Sequence, residues 1–106
     1  GQAGRQKEAC PMSPVKTLLE AQLKELDAIE KETATQNMNT MRGLEFVHAW
    51  KVQAVALISQ HVSPQAAKRL ADAKPGPSFT NDLFEEFADE VDVYRQAVRA
   101  VMKELP

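Results

Sequence analysis

Residues 84–101 read FEEFADEVDVYRQAVRAV and bring Glu85, Glu86, Asp89, Glu90 and Asp92 together within eight positions, followed by Arg95 and Arg99. Carboxylates are the hard oxygen donors that Mg²⁺ takes, usually one or two at a time with water and substrate phosphates filling its octahedron. Helical spacing decides whether they can converge. At about 100° per residue, Glu85, Asp89 and Asp92 share a face with Gln96, Arg99 and Lys103, while Glu86 and Glu90 flank the opposite, apolar side. One helix offers an ion too few inward oxygens, and residues 46–71 contain no Asp or Glu to supply a second set. The pattern therefore predicts a hydrated helix face, with acids near the positive end of the helix dipole and Arg95, Arg99 and Lys103 toward its negative end.

Other reactive side chains are sparse. His48 and His61 lie thirteen positions apart on one helix and rotate to different sides, so they cannot share a metal within one chain. His61 falls in a last turn on the apolar side, where an imidazole suits the C-terminal carbonyls. Cys10 is in an irregular leading stretch, and Ser13, Ser63 and Ser78 stand at helix starts or in a turn, which explains them without a nucleophile–base pair. Two of the four glycines lie in the first four residues, which leaves no phosphate-cradling loop. No catalytic, cofactor-binding or metal-ligating residue is assigned.

The stretch EEFADEVDV is similar to the second acidic motif of the MazG-like all-α nucleotide pyrophosphatases, with Glu86 and Asp89 in its E-x-x-D positions. That resemblance implies an alternative reading, Mg²⁺-dependent hydrolysis of a nucleotide using Glu86 and Asp89 with Glu90 or Asp92. The family's partner motif, E-x-x-E on the preceding helix, has no counterpart here.

The elements that would position these residues are legible from periodicity. Residues 1–12, GQAGRQKEACPM, carry no period and read as a disordered tail ahead of one helical domain, 13–106. Ser13 and Pro14 supply an N-cap and a first-turn proline, after which Val15, Leu19, Leu23, Leu26 and Ile29 draw one apolar stripe. TATQNMNT, 33–40, gathers Thr and Asn, which compete for backbone hydrogen bonds, and predicts a loop. A second helix, about 41–61, turns Val47, Trp50, Ala54, Leu57, Ile58 and His61 to one side. Leu44, Val55 and Val62 widen that arc, so this helix must touch two neighbours. Ser63-Pro64 starts a short third helix that KPGPS stops. In the last helix Thr80 is the expected N-cap and Phe79 the expected staple onto Phe84. Phe84, Phe87, Val91, Tyr94, Val98, Val101 and Leu105 then alternate three and four apart. No strand period appears, so the expectation is an all-α, four-helix bundle-like single domain with one short helix. Its core would be Leu19, Leu23, Leu26, Val47, Trp50, Ala54, Leu57, Leu70, Phe84, Phe87, Val91, Tyr94, Val98 and Val101.

Composition bounds the function. The 106 residues carry 43% hydrophobic and 26% charged side chains and a net charge of −2, ordinary for one globular domain. The 13 Lys and Arg are scattered among 15 acids, with no basic stripe for nucleic acid. No apolar run is long enough to span a membrane. One cysteine allows no internal disulfide, and a cytoplasmic location is expected.

The order of features from Leu18 to Leu105 resembles small helical modules that precede effector or nucleotide-binding domains in bacterial multidomain proteins. The matching pieces are a first amphipathic helix, a second carrying FVHAWKVQAVALI around Trp50, a Ser-capped short helix, and a last helix opening with aromatics. The resemblance implies a non-enzymatic interaction or self-association module, part of a larger protein, with a protein partner or a second copy of itself and no cofactor. The seam of the last helix could form a homodimer if the bundle leaves it partly open.

Overall fold

Helix α1, Pro14–Thr35, buries Leu19 and Leu26 completely and half-buries Leu23 and Ile29, the stripe expected from the sequence. It is the first of four helices in a computed structural model that describes residues 14–35, 39–76 and 82–105. Helix α2 runs Thr40–His61, α3 Pro64–Asp72 and α4 Leu83–Lys103, and no strand occurs among the described residues. The protein is all-α and bundle-like: α1, α2 and α4 pack on one another, and α3 folds back against α2 and α4. The expected tail, Ser13 as a cap, and Phe79 as a staple lie outside the described residues.

Helix ends follow local chemistry, with two corrections. The expected loop at 33–40 is cut back at both ends, because α1 continues to Thr35 and α2 begins at Thr40, while 36–38 lie outside the described residues. The hydroxyls of Thr33 and Thr35 donate to the carbonyls of Ile29 and Lys31, each at 2.8 Å, so they close onto the helix instead of competing with it. Asn39 caps α2 by accepting from the Met41 N–H at 2.8 Å. The cap of α4 is Asp82, and the expected Thr80 lies outside the described residues: the Asp82 Oδ1 accepts from the N–H groups of Phe84 at 2.9 Å and Glu85 at 3.3 Å, and a charged acceptor there also meets the positive end of the dipole. Ser63 performs as the sequence predicts, accepting from the Ala66 N–H at 3.0 Å with Pro64 at the first helical position.

The core is built on α2. Val47, Trp50, Ala54 and Ile58 meet Leu19 and Leu26 of α1, the Ala66, Ala67 and Leu70 step of α3, and Phe87, Val91, Tyr94, Val98 and Val101 of α4. Leu23, Leu57 and Phe84, expected in the core, are only half-buried, and Ile58, Ala66 and Ala67 take interior places. His61 is exposed rather than buried, at the last turn of α2. The α4 seam is consumed internally: Phe87, Val91, Tyr94, Val98 and Val101 are each at most 4% exposed, which leaves no open seam for a second copy.

Trp50 organises this interior. Its indole N–H donates to the Gln22 carbonyl of α1 at 2.8 Å, and its ring stacks on Tyr94 of α4 with centroids 6.4 Å apart and planes 24° from parallel. Near the other end of the α1–α2 hairpin the helices approach so closely that only glycine fits at 43. A β-carbon there would stand 2.5 Å from Thr33 Oγ1, 2.9 Å from Thr33 Cγ2 and 3.1 Å from Phe87 Cε1.

Two outcomes test this packing. Trp50→Ala is expected to cost about 3–5 kcal/mol by chemical denaturation, as for a buried large aromatic, and a near-neutral result would displace Trp50 from the centre of the fold. Gly43→Ala would gain about 1 kcal/mol in a helix with free space around it. Here overlap with the branched, hydrogen-bonded Thr33 dominates, and the expected result is a net loss of about 1–3 kcal/mol. Adding Thr33→Ala, which clears both contacting atoms, should recover part of that loss.

Candidate interaction groove

The carboxylates of α4 are placed by its register, and they diverge. Glu85, Asp89 and Asp92 are exposed on the outer face with Gln96, Arg99 and Lys103, as the wheel predicts. Glu86 and Asp89 join Glu90, Pro75 and Gly76 around a depression of about 230 Å³. Glu90 is already engaged there: its Oε2 accepts from the Tyr94 hydroxyl at 2.6 Å and lies 3.0 Å from His48 Nε2. Asp92 faces Arg95 at 3.3 Å on its own helix. Among the described residues no three His, Cys, Asp or Glu side chains are grouped so as to hold a metal ion. Glu86, Asp89, Glu90 and Asp92 therefore divide between a shared depression and separate contacts.

Several charged side chains serve as struts between helices. Arg95 of α4, 15% exposed, donates to Asp27 at 2.7 Å and 3.0 Å and to Glu30 at 2.6 Å, clasping α4 to α1. Burial works against its charge, but the hydrogen bonds to Glu30 and Asp27 outweigh it and hold the guanidinium protonated above its ordinary range. Lys51 of α2 places its ammonium 4.3 Å over the Tyr94 ring and donates to the Ala73 carbonyl, at the C-cap of α3, at 3.2 Å. Burial lowers its pKa, and the nearby Glu90 partly offsets that. Arg69 of α3 forks onto Glu104, just past α4, with both carboxylate oxygens engaged. These contacts join helices to one another.

What remains unspent is a groove of about 340 Å³ between the first half of α1 and the last turns of α4, formed by Lys16, Glu20, Leu23, Arg99, Met102 and Lys103. Its floor is apolar, from half-buried Leu23 and Met102. Its rim carries three cations and one carboxylate, none of them in an ion pair or side-chain hydrogen bond among the described residues. A smaller apolar dip between α2 and α3 is lined by Lys51, Val52, Val55 and Ala71, with Val52 71% exposed. The sequence reading placed Leu23 in the core and singled out neither Lys16 nor Met102 as surface features. Groove chemistry of this kind, an apolar strip framed by cations, accepts an amphipathic partner with acidic flanks.

No helix among the described residues is long and apolar enough to cross a membrane. No protein-family model, curated protein sequence or solved structure matches the chain.

The Tyr94–Glu90 contact gives a pH test. Burial, reinforced by the hydrogen bond to Glu90, raises the Tyr94 pKa well above its ordinary value. Above a pH of about 10 an unfolded chain releases the phenolic proton and the folded chain retains it, so stability falls as pH rises beyond that point. Tyr94 is the only tyrosine, so its ultraviolet titration is unambiguous. The phenolate signal is expected to stay absent past pH 10 and to emerge together with loss of helical circular dichroism. Ionisation at the ordinary value in a still-folded chain would contradict the contact.

Proposed function

We propose that this chain is a non-enzymatic helical module that binds a protein partner or itself, in the cytoplasm, and that the α1–α4 groove is its docking face. One observation carries the reading: the groove keeps an apolar floor and a rim of unengaged charges, Lys16, Glu20, Arg99 and Lys103, whereas the partly covered Arg95 and Lys51 link helices to one another. A hydrolase would need carboxylates gathered around one ion. Among the described residues no three are so grouped, and the α1 carboxylates that reach α4, Asp27 and Glu30, are engaged by Arg95. A docking face, by contrast, needs only shape, apolar area at its centre and charge at its edge.

The test is site-specific photo-crosslinking in the native setting. A crosslinking amino acid at Glu20, on the groove rim, is expected to give a defined protein adduct. The same group at Gln53, on the exposed side of α2, is expected to give none. Reversal of charge at Arg99 and Lys103 should abolish the Glu20 adduct while helical circular dichroism is kept. If Glu20 yields no adduct that Gln53 lacks, the groove is not a docking face and the reading falls.

A further inference from the structure

The interaction reading can be taken one step further, because α4 carries on its outer face the acids that the cationic rim of its own groove asks for. The exposed stripe runs Glu85, Asp89, Asp92, Gln96, Arg99, Lys103. Three acids precede one uncharged residue and two bases follow it. Asp92 reaches Arg95, and the other four charged members have no ion-pair partner among the described residues.

We infer that two copies of this chain associate through antiparallel packing of α4 on α4 about a two-fold axis at Gln96, with the acidic half of each α4 seated along the cationic rim of the other copy's α1–α4 groove. The register supports this. Asp89 and Lys103 each lie seven residues from Gln96, about 10 Å along the helix axis in opposite directions, and Asp92 and Arg99 lie four and three residues away. An antiparallel two-fold therefore sets Asp89 against the second copy's Lys103 and Asp92 against its Arg99, and repeats both pairs by symmetry. Ala100, exposed, and Ala88, half-buried, keep the stripe's flanks small enough for close approach. Lys103 and Arg99 are also the α4 rim of the groove, so the same placement lays the second helix beside Leu23 and Met102 and brings its acids within reach of Lys16.

The helix dipole alone does not account for this order of charges. Its influence fades beyond the first and last turns. Asp89 and Asp92 lie well inside α4, and Arg99 precedes the final turn, yet the sorting by sign extends to all three. Solvent-exposed ion pairs are individually weak and sensitive to salt. The pairing is thus expected to set orientation and register, with the apolar floor adding burial, and to give a weak dimer that salt dissolves.

This inference rests on the docking role of the groove and commits the occupant to a second copy. Sedimentation equilibrium of the chain from about 10 μM to about 1 mM should show a monomer–dimer equilibrium at low salt that weakens at least tenfold at about 0.5 M salt, as screening shortens the reach of the pairs. A base-rich variant, Asp89→Lys with Asp92→Arg, and an acid-rich variant, Arg99→Glu with Lys103→Glu, should each sediment as monomers while keeping native circular dichroism. Mixed in equal amounts, they should form a heterodimer at least tenfold tighter than either variant's self-association. A wild-type chain that stays monomeric throughout, or variants that show no such gain on mixing, would overturn the proposal. A monomeric chain that still crosslinks another protein from Glu20 would overturn the homodimer and leave the docking reading standing.

Discussion

An indole cannot be buried in a bundle without an acceptor for its N–H, and meeting that requirement for Trp50 fixes how three helices meet. The acceptor is the Gln22 carbonyl on α1, and the ring's apolar surface is met by Tyr94 on α4. Tyr94 then has needs of its own: its hydroxyl donates to Glu90, and its ring carries the Lys51 ammonium, which reaches on to the end of α3. A single large side chain on α2 thus determines the rotational setting of α1 and α4. Through Lys51 it also bears on where α3 stops. The Trp50 N–H, the Tyr94 hydroxyl and the Lys51 ammonium each find a partner, so the interior tolerates Tyr94 and the largely covered Glu90, while Gln22 Oε1 is buried without one.

The same accounting separates structural charge from surface charge. Arg95 and Glu90 are the most covered ionisable side chains in the ion pairs, at 15% and 17% exposure, and both join α4 to a neighbouring helix. Covered charges must be paired or they destabilise the fold. The groove cations are under no such constraint, because they stand at a rim where water serves them well. Their freedom leaves them available to a partner.

Much of the fold could be read from period alone, because seven apolar positions of α4 recur without a miss and the α1 stripe does nearly as well. Phe87, Val91, Tyr94, Val98 and Val101 took their expected interior places for that reason. Where the sequence misled, the deciding partner lay elsewhere in the chain. Thr33 is a poor helix former, but its place beneath Gly43 and its bond to Ile29 hold it helical and 3% exposed. His61 shares the azimuth of Trp50, Ala54 and Ile58 on α2 and is nonetheless exposed at the helix's last residue, because azimuth alone does not say what packs there. Thr80 and Asp82 are both favoured cap types, so residue preference alone does not say which of the two starts α4. The groove was the least legible feature, since Lys16 and Arg99 are separated by most of the chain and only folding brings them to one rim.

The face-to-face contact of Trp50 with Tyr94 has an optical consequence. The chain holds one tryptophan and one tyrosine, and the fold sets their rings 6.4 Å apart. Light absorbed by the phenol is therefore handed to the indole in the native state and re-emitted as tyrosine fluorescence only when α2 and α4 separate. The protein carries its own donor–acceptor pair across the interface that holds its core together, and its emission spectrum can follow assembly of that interface without any label.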